Sequence, residues 1–359
     1  IFWLKRNRPE VFARAAKILT STSYLVHRLT GKFVIDHYTA ANFGPLYDID
    51  QQQWNDELAG DIVALDMLPE LHWSCDIVGE ITDRAAAETG LAPGTPVTTG
   101  TIDAAAEAIS VGLRDVGDMM IMYGSTVFSV ALMADKLADG RLWYAPWLFE
   151  GGHASMAGLA TSGTLTHWFR DQFARELPRH EAFGALAAEA EASPRGANGL
   201  LLLPYFSGER TPIHDTSARG CFFGLNLTHS RGDMYRAVLE GIGFATNHVM
   251  RTYEEIGQMP RRLLAVGGGT KNDVWLQATS DICGIDQIIC AQTIGASYGD
   301  AFLAAVAIGA AKREDIAVWN PVQRQINAVP DPVYDKQYQL FRRLYEQTKD
   351  IAAQLGGPA

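Results

Sequence analysis

The sequence predicts an α/β protein of about two domains. Apolar runs of strand length alternate with amphipathic helical patterns along the chain, as expected for a sheet flanked by helices. Its 359 residues are enough for about two domains with complete apolar cores. Hydrophobic residues make up 47% of the chain and charged residues 20%, a composition typical of globular proteins.

The first third of the chain is predicted to alternate between helices and strands. Pro9 followed by apolar residues at helical spacing predicts the start of a helix, and Gly31 ends the next one. Helices are predicted over 1–30, 54–65 and 83–89, strands over 33–35, 77–82 and 96–99, and an irregular polar loop over 36–47.

The stretch from Gly100 to Thr126 contains a lone acid and a polar turn between two apolar runs. Residues 119–123 and 127–133 predict two strands, and the turn Gly124-Ser125-Thr126 between them offers N–H groups and two hydroxyls to phosphate oxygens. Asp103, which has no basic neighbour in sequence, suits a general base. A simple turn and a helix N-cap are the alternative interpretations of these two features.

Beyond this stretch the alternation continues. Strands are predicted over 141–146, 154–159, 199–203, 263–266 and 287–290, and helices over 161–173, 181–192, 272–282, 299–308 and 334–355. Ser230, with Asp233 three residues later, predicts the capped start of a long helix with one buried apolar face. The loop 204–220 has no periodicity, and it is either functional or a surface connector.

Three glycines, Gly267, Gly268 and Gly269, follow the predicted strand 263–266 and precede a helix. Glycine lets a ligand approach the backbone closely, and a helix start presents N–H groups at the turn. The spacing is not the dinucleotide fingerprint, and no Lys-Ser or Lys-Thr pair makes it a P-loop. A nucleotide-binding turn and a plain tight turn both fit this pattern.

Charge and cysteine content narrow the functional class. Lys and Arg number 30 and Asp and Glu number 41, so the net charge of −11 argues against binding to nucleic acids or anionic membrane surfaces. The four cysteines form no CxxC pair and no zinc pattern, which indicates reduced thiols in a cytoplasmic protein. No signal peptide is visible, and no apolar run has the length of a membrane span.

Several motifs, in their order along the chain, resemble those of the FGGY carbohydrate kinases, the family of xylulose, ribulose and glycerol kinases. The most specific is GERTPIHDTSARGCFFGLNLTHSRGDMYRAVLEGIGF at 208–244, which resembles the family signature. Asp103 falls where the family has its catalytic acid, and Gly124, Ser125 and Thr126 fall on its second phosphate loop. Gly163 and His167 lie in the segment that borders the phosphates in the family, and Gly267, Gly268, Gly269 and Asn272 fall on its adenosine motif.

The resemblance implies an actin-like, ribonuclease-H-like ATPase fold whose two lobes close over a cleft. Because the turns at Ser125 and Gly268 are both polar breaks at the ends of predicted buried strands, we expect segments 118–133 and 263–309 to belong to one lobe, with these two residues facing one cleft. Residues 1–112 would be the C-terminal part of the sugar-binding lobe, and residues 113–359 the nucleotide-binding lobe. Asp103 would accept the proton of a sugar or polyol hydroxyl as it attacks ATP, with Mg²⁺ screening the phosphates. A ketopentose such as xylulose is the first candidate substrate.

The resemblance also suggests how the substrate is held. Asp103, His37 and Tyr38 would contact the sugar, although a surface-loop role fits His37 and Tyr38 equally well. The partner would be a small sugar or polyol, and the protein is expected to be cytoplasmic, with a homodimer as one expected assembly.

Two departures from the family pattern stand out. The chain opens at Ile1 without Met, and the family's Asp-x-Gly-Thr phosphate loop is absent. Upstream sequence is therefore expected to be missing, and residues 1–359 alone are expected to bind ATP weakly and to phosphorylate no sugar. Ala104 replaces the Gln or Asn usual in glycerol and xylulose kinases, so the substrate is expected to differ from theirs. The alternative is a non-catalytic nucleotide-binding or interaction protein, or an inactive fragment of such a kinase; an Asp-x-Gly-Thr motif upstream in the gene would favour the enzyme.

Overall fold

The computed structural model describes residues 1–136 and 139–355. Its strands are β1 (Val34–Asp36), β2 (Tyr47–Asp48), β3 (Gln53–Trp54), β4 (Glu70–His72), β5 (Ile77–Glu80), β6 (Pro96–Thr98), β7 (Asp118–Tyr123), β8 (Val127–Met133), β9 (Trp143–Pro146), β10 (His153–Leu159), β11 (Leu201–Leu203), β12 (Cys221–Phe223), β13 (Arg262–Val266), β14 (Gln287–Cys290) and β15 (Val322–Ile326). Its helices are α1 (Phe2–Asn7), α2 (Pro9–Phe12), α3 (Ser21–Thr30), α4 (His37–Ala40), α5 (Asp56–Ala59), α6 (Asp83–Thr89), α7 (Asp103–Ser110), α8 (Gly163–Phe173), α9 (Ala182–Ala192), α10 (Arg231–Glu255), α11 (Asp273–Cys283), α12 (Ala296–Ala307), α13 (Ile316–Trp319) and α14 (Pro332–Leu355). Short 3₁₀ turns cover Leu65–Met67, Ala197–Gly199, Gly268–Lys271 and Arg313–Asp315.

The largest sheet of the described residues has seven strands in the order β15-β14-β13-β7-β8-β10-β9. Strands β7, β8, β10 and β9 pair antiparallel to one another, whereas β13 lies parallel to β7, and β14 lies parallel to β13. An antiparallel meander joined to parallel strands on the other side of one central strand is the ribonuclease-H-like arrangement. The predicted fold class is therefore confirmed.

Strands β7 and β13 are the parallel neighbours whose ends build the site. Met122 pairs with Val266, the last residue of β13, so the two strands end within one residue of each other. Because the carboxyl ends of parallel strands lie at the same edge of a sheet, the turns that follow them are side by side. These are the serine turn Gly124–Thr126 and the glycine turn that begins at Gly267.

Helices cover both faces of this sheet. On one face, helices α8 to α11 and α14 bury Met119 and Ile121 in an extensive apolar core. On the other face, α7 and α12 cover Met120 and Leu264. Residues along β7 alternate between the two faces because successive side chains of a strand point to opposite sides.

Helix α10 begins as predicted. Ser230 and Asp233 form a reciprocal capping box, in which the Ser230 hydroxyl accepts the Asp233 N–H and the Asp233 carboxylate accepts the Ser230 N–H. The helix is buried on nearly all sides, not on one face, because α9, α11 and β11 pack around it. Neither α10 nor any other helix in the described ranges is both long and apolar enough to span a bilayer.

Residues 1–110 form short strand pairs, with β1 parallel to β4 and β5 antiparallel to β6. The long helix predicted from Pro9 is wrong, since α2 ends at Phe12. The Ile18 N–H donates to the carbonyl of Met67 at 2.9 Å, which holds residues 13–20 in a non-helical path beside the 3₁₀ turn Leu65–Met67. A tertiary contact therefore overrides the local helical pattern.

Candidate active site

A cavity of about 490 Å³ opens at the sheet edge where β7 and β13 end. Its walls come from the serine turn, the start of α8, one side of α9 and α10, and the glycine turn with the start of α11. The predicted site residues that line it are Gly124, Ser125, Gly163, His167, Gly268, Gly269 and Asn272. The prediction that Ser125 and Gly268 share one cleft is confirmed.

The serine turn presents free polar groups to this cavity. The Gly124 N–H donates to the Thr126 carbonyl at 3.1 Å and closes the turn. Ser125 is exposed, and no acceptor among the described residues takes its N–H. Its hydroxyl and its N–H are therefore available to a phosphate oxygen. Thr126 is half-buried and lies outside the lining of the cavity.

The start of α8 docks against the serine turn through main-chain atoms. The Gly163 N–H donates to the Gly124 carbonyl at 2.9 Å, and the Thr164 N–H donates to the Ser125 carbonyl at 3.1 Å. A Cβ on Gly163 would lie 2.4 Å from the Gly124 oxygen, so only glycine permits this approach. The turn and the helix start thus form one wall of fixed geometry.

The glycine turn builds the adjoining wall. Gly267 has φ +95°, and a Cβ there would lie 2.8 Å from the Tyr123 carbonyl oxygen. It supports the turn from behind and does not itself line the cavity. Gly268 is exposed with open space at its Cβ position, which leaves room for a ligand. Asn272 caps α11, because its side-chain oxygen accepts the Trp275 N–H at 3.1 Å.

Besides Tyr123 at the end of β7, three aromatic residues from helices line the cavity, and the sequence pattern did not identify them. They are Phe183, Tyr235 and Trp275, which come from three different helices. The exposed ring of His167 meets Phe183 edge-on at 5.0 Å between centroids. Burial raises the pKa of Tyr235, and the nearby Asn272 side chain opposes that rise. Apolar walls around a few polar groups suit a planar heterocyclic base with a phosphorylated tail.

Asp103 lies apart from this lining, at the first position of α7. Its side chain is exposed, and Oδ1 accepts the N–H of the neighbouring Ala104 at 2.7 Å. Ile102 holds the N-cap position, and no side-chain capping bond is formed. The carboxylate therefore sits at the positive end of the helix with an oxygen directed to solvent, where a ligand can reach it.

His37 and Tyr38, which were predicted to contact the substrate together with Asp103, lie in different environments. His37 is half-buried, its Nδ1 lies 2.7 Å from the Tyr47 hydroxyl, and burial lowers its pKa. Tyr38 is fully buried, and its hydroxyl donates to the sulfur of Met156 at 3.0 Å. Direct substrate contact by Tyr38 is therefore corrected to a packing role, because the helical turn of α4 directs it towards β10.

The loop 204–220 braces the cavity from outside. Glu209 is buried, and its Oε1 accepts the N–H groups of Ala160 and Arg210 at 2.6 and 2.7 Å. The Ser207 N–H donates to the Thr161 hydroxyl at 3.1 Å. Burial raises the pKa of Glu209 to about 7. These bonds hold Ala160 and Thr161, which precede α8, so the loop has a structural role beyond connecting two elements.

The carboxylate side chains of the described residues could hold a magnesium ion only together with phosphate oxygens of a bound substrate. Within residues 1–136 and 139–355, no three His, Cys, Asp or Glu side chains are arranged to hold a metal. Asp103 and Glu107 lie one helical turn apart on α7, and burial followed by the charge of Asp103 raises the pKa of Glu107. Mg²⁺ commonly binds one or two carboxylates together with substrate phosphates.

Family comparisons match almost the whole chain. The N-terminal domain of the FGGY family of carbohydrate kinases matches residues 1–110, and the C-terminal domain of that family matches residues 119–308. A xylulose kinase of Bacillus subtilis (strain 168) is 30% identical over 363 residues, covering 98% of this chain and 71% of that protein. A xylulose kinase of Escherichia coli (strain K12) is 31% identical over 375 residues, covering 98% of this chain and 73% of that protein.

Solved structures agree with these matches. The crystal structure of a xylulose kinase from Rhodospirillum rubrum has a TM-score of 0.91 and 31% identity, covering 98% of this chain and 71% of that one. A gluconate kinase from Lactobacillus acidophilus has a TM-score of 0.89 and 25% identity, covering 99% of this chain and 72% of that one.

Proposed function

Since the chain belongs to the FGGY family of carbohydrate kinases, we propose that it transfers the γ-phosphoryl group of ATP to a hydroxyl of a ketopentose, with xylulose as the first candidate. The observation that carries the proposal is the shared cavity: Ser125 and Gly268, from the turns after two adjacent parallel strands, line one space. A phosphate-binding turn beside a base-sized aromatic pocket is what a nucleotide requires.

ATP would lie across the two walls of the cavity. Phe183, Tyr235 and Trp275 would surround the base, and Gly268 and Gly269 would let the ribose approach the backbone. The N–H and hydroxyl of Ser125 would hold the phosphate chain, with Thr126 completing the turn. Gly163 and His167 would border the phosphates. Residues 113–359 would thus serve the nucleotide.

Asp103 would act on the sugar. A protonated hydroxyl is a poor nucleophile, so a carboxylate that accepts its proton during attack lowers the barrier. The exposed position of Asp103 at the start of α7 supports this role. Residues 1–112 would carry the sugar, and half-buried His37 remains a candidate contact.

Kinases of this family use ATP as a substrate and typically magnesium with it. When bound, Mg²⁺ neutralises charge between the β- and γ-phosphate oxygens. Of the residues described, Asp103 and Glu107 are the carboxylates of α7 that could contribute to holding it.

Ala104, next to the proposed base, bears on which sugar the protein phosphorylates. Ala104 has no polar side-chain atom, and its N–H already donates to Asp103. This observation favours testing gluconate and polyols beside the ketopentoses, because a contact usual in xylulose kinases is missing here. A coupled ADP-release assay over such a panel would identify the substrate.

The decisive experiment replaces Asp103 by Asn in the full-length protein. We expect kcat with the preferred sugar to fall at least about a hundredfold, the scale for loss of a positioned base, while the affinity for an ATP analogue stays nearly unchanged.

Asp83→Asn is the matched control, because Asp83 is likewise the exposed first residue of a helix, α6. A general effect of losing an acid at a helix start would appear in both variants. If Asp103→Asn kept full turnover, Asp103 would not be the base. A wild-type protein that bound ATP but phosphorylated no sugar of the panel would support the non-catalytic alternative.

A further inference from the structure

We propose that Asp36 is a positioning residue for Asp103, acting through Thr101 on the segment that leads into α7. The inference rests on the proposed function, because it takes Asp103 as the general base. It is carried by a buried cluster of hydrogen bonds that lies outside the nucleotide cavity.

Asp36 is a carboxyl group in the interior, only 2% exposed. One oxygen, Oδ2, accepts the Thr101 hydroxyl at 2.8 Å, the Ser74 hydroxyl at 3.1 Å and the Thr39 N–H at 3.4 Å. Thr101 and Ser74 are themselves buried, at 5% and 1% exposure. Three donors from three separate parts of the chain thus converge on one atom.

The cluster contains no cation. Among the described residues, no lysine, arginine or histidine lies within salt-bridge distance of Asp36. Burial raises its pKa to about 6, and the hydroxyl donors oppose that rise. A carboxylate without a counter-charge costs stability when buried, and here three hydrogen-bond donors offset part of that cost.

Thr101 links this cluster to the start of α7. It lies two residues before Asp103, and its carbonyl accepts the Thr22 hydroxyl at 3.1 Å. The preceding Gly100 donates its N–H to the Ser74 carbonyl at 3.1 Å. The segment Gly100–Ile102 is therefore held by α3, by the chain at Ser74 and by Asp36. The two bonds at Thr101, from its hydroxyl to Asp36 and from the Thr22 hydroxyl to its carbonyl, are the nearest of these contacts to Asp103 in sequence.

The Asp36 carboxyl group also contacts two neighbouring parts of the chain. Asp36 is the N-cap of α4, the helix that begins with His37. Ser74 donates its N–H to the carbonyl of Leu148, in the loop between β9 and β10, at 3.3 Å. Asp36 therefore connects the segment before the base, the candidate sugar-contacting helix and the loop between β9 and β10. Of the three, the segment before the base is the one that leads directly into α7 and Asp103.

The test compares two hydroxyls that donate to the same oxygen. Thr101→Val removes the donor on the segment that leads to Asp103, Ser74→Ala removes the donor on the other segment, and Thr101→Ser keeps the hydroxyl. We expect Thr101→Val to lower kcat about tenfold or more, because displacement of a catalytic group by less than 1 Å is costly. Thr101→Ser and Ser74→Ala should stay within about threefold of the wild type.

Two readouts separate positioning from loss of structure. The KM for ATP and the affinity for an ATP analogue should stay near wild-type values in all three variants, since the nucleotide cavity is not touched. If Thr101→Val does not fold, Thr101→Ala replaces it, because it also removes the hydroxyl that donates to Asp36, and it should show the same loss in kcat.

The outcomes are distinguishable. Wild-type kcat in the folded Thr101→Val or Thr101→Ala protein, or equal losses in Thr101→Val and Ser74→Ala, would overturn the inference while leaving the kinase assignment intact. Full turnover by Asp103→Asn would remove the base itself, and the inference would fall with it.

Discussion

Replacing Gly299 by alanine tests whether the close contact between α7 and α12 sets the position of Asp103. Gly299 lies in the second turn of α12, which crosses α7. A Cβ at this position would lie 1.8 Å from the carbonyl oxygen of Ala106, 2.6 Å from its carbonyl carbon and 3.2 Å from its Cα. All three atoms belong to the backbone of α7, so no side-chain rotation can relieve the overlap.

The size of the displacement follows from these distances. A carbon and a carbonyl oxygen normally approach to about 3.3 Å, so the helices would have to separate by roughly 1.5 Å. Overpacking of this kind costs about 1–3 kcal/mol, and the helix propensity gained from Gly to Ala returns at most about 1 kcal/mol. Because α7 begins at Asp103, a shift of about 1 Å at the base is expected to lower kcat about a hundredfold.

Urea unfolding and steady-state kinetics measure the two effects. Gly243→Ala is the matched control: Gly243 is also a buried helical glycine, but its Cβ would meet the flexible end of the Ile282 side chain at 2.8 Å. That variant should have nearly wild-type stability and kcat. A Gly299→Ala protein with wild-type midpoint and kcat would refute the idea that this crossing positions α7.

Two further predictions concern the nucleotide and the buried acid. Gly163→Ala should raise the Kd of an ATP analogue about tenfold or more, because the new Cβ would lie 2.4 Å from the Gly124 oxygen and displace the serine turn. Gly140→Ala, which lies outside the cavity and has open space at its Cβ, should leave the Kd unchanged in calorimetric titration. The folded-state pKa of Asp36 is raised from 3.8 to about 6, so the folded state holds this proton more tightly, and stability is lost as pH rises through this range. Relative to Asp36→Asn, the wild type should lose about 2 kcal/mol of unfolding free energy between pH 4 and pH 7. A difference between the two proteins that is independent of pH would contradict the assignment.

The elements with strong local signals were predicted well from the sequence. Ser230 and Asp233 identified the start of α10, because a capping box involves only residues three apart. The apolar runs on both sides of Gly124–Thr126 identified β7 and β8, since turn residues between apolar runs mark a hairpin in the chain itself. The polar breaks after β7 and β13 are likewise local features, so the sequence alone predicts both as candidate ligand sites.

Where an element depends on long-range packing, the prediction from sequence was wrong or the element was missed. The helix from Pro9 ends at Phe12 because Ile18 bonds to Met67, a partner far away in sequence. Strand β15 is polar and lies at the sheet edge, so apolar periodicity does not reveal it. Local pattern carries no information about either contact.

For the candidate site, the sequence by itself determined the polar turns and the acid, while the tertiary structure decided which side chains surround them. Phe183 and Trp275 reach one cavity only because α9 and α11 pack beside α10. His37 and Tyr38 are adjacent in sequence, yet one is half-buried beside Tyr47 and the other is enclosed in the core. The type of residue is a local property that a sequence displays directly, whereas burial and proximity depend on contacts between segments far apart in the chain, which only the folded arrangement specifies.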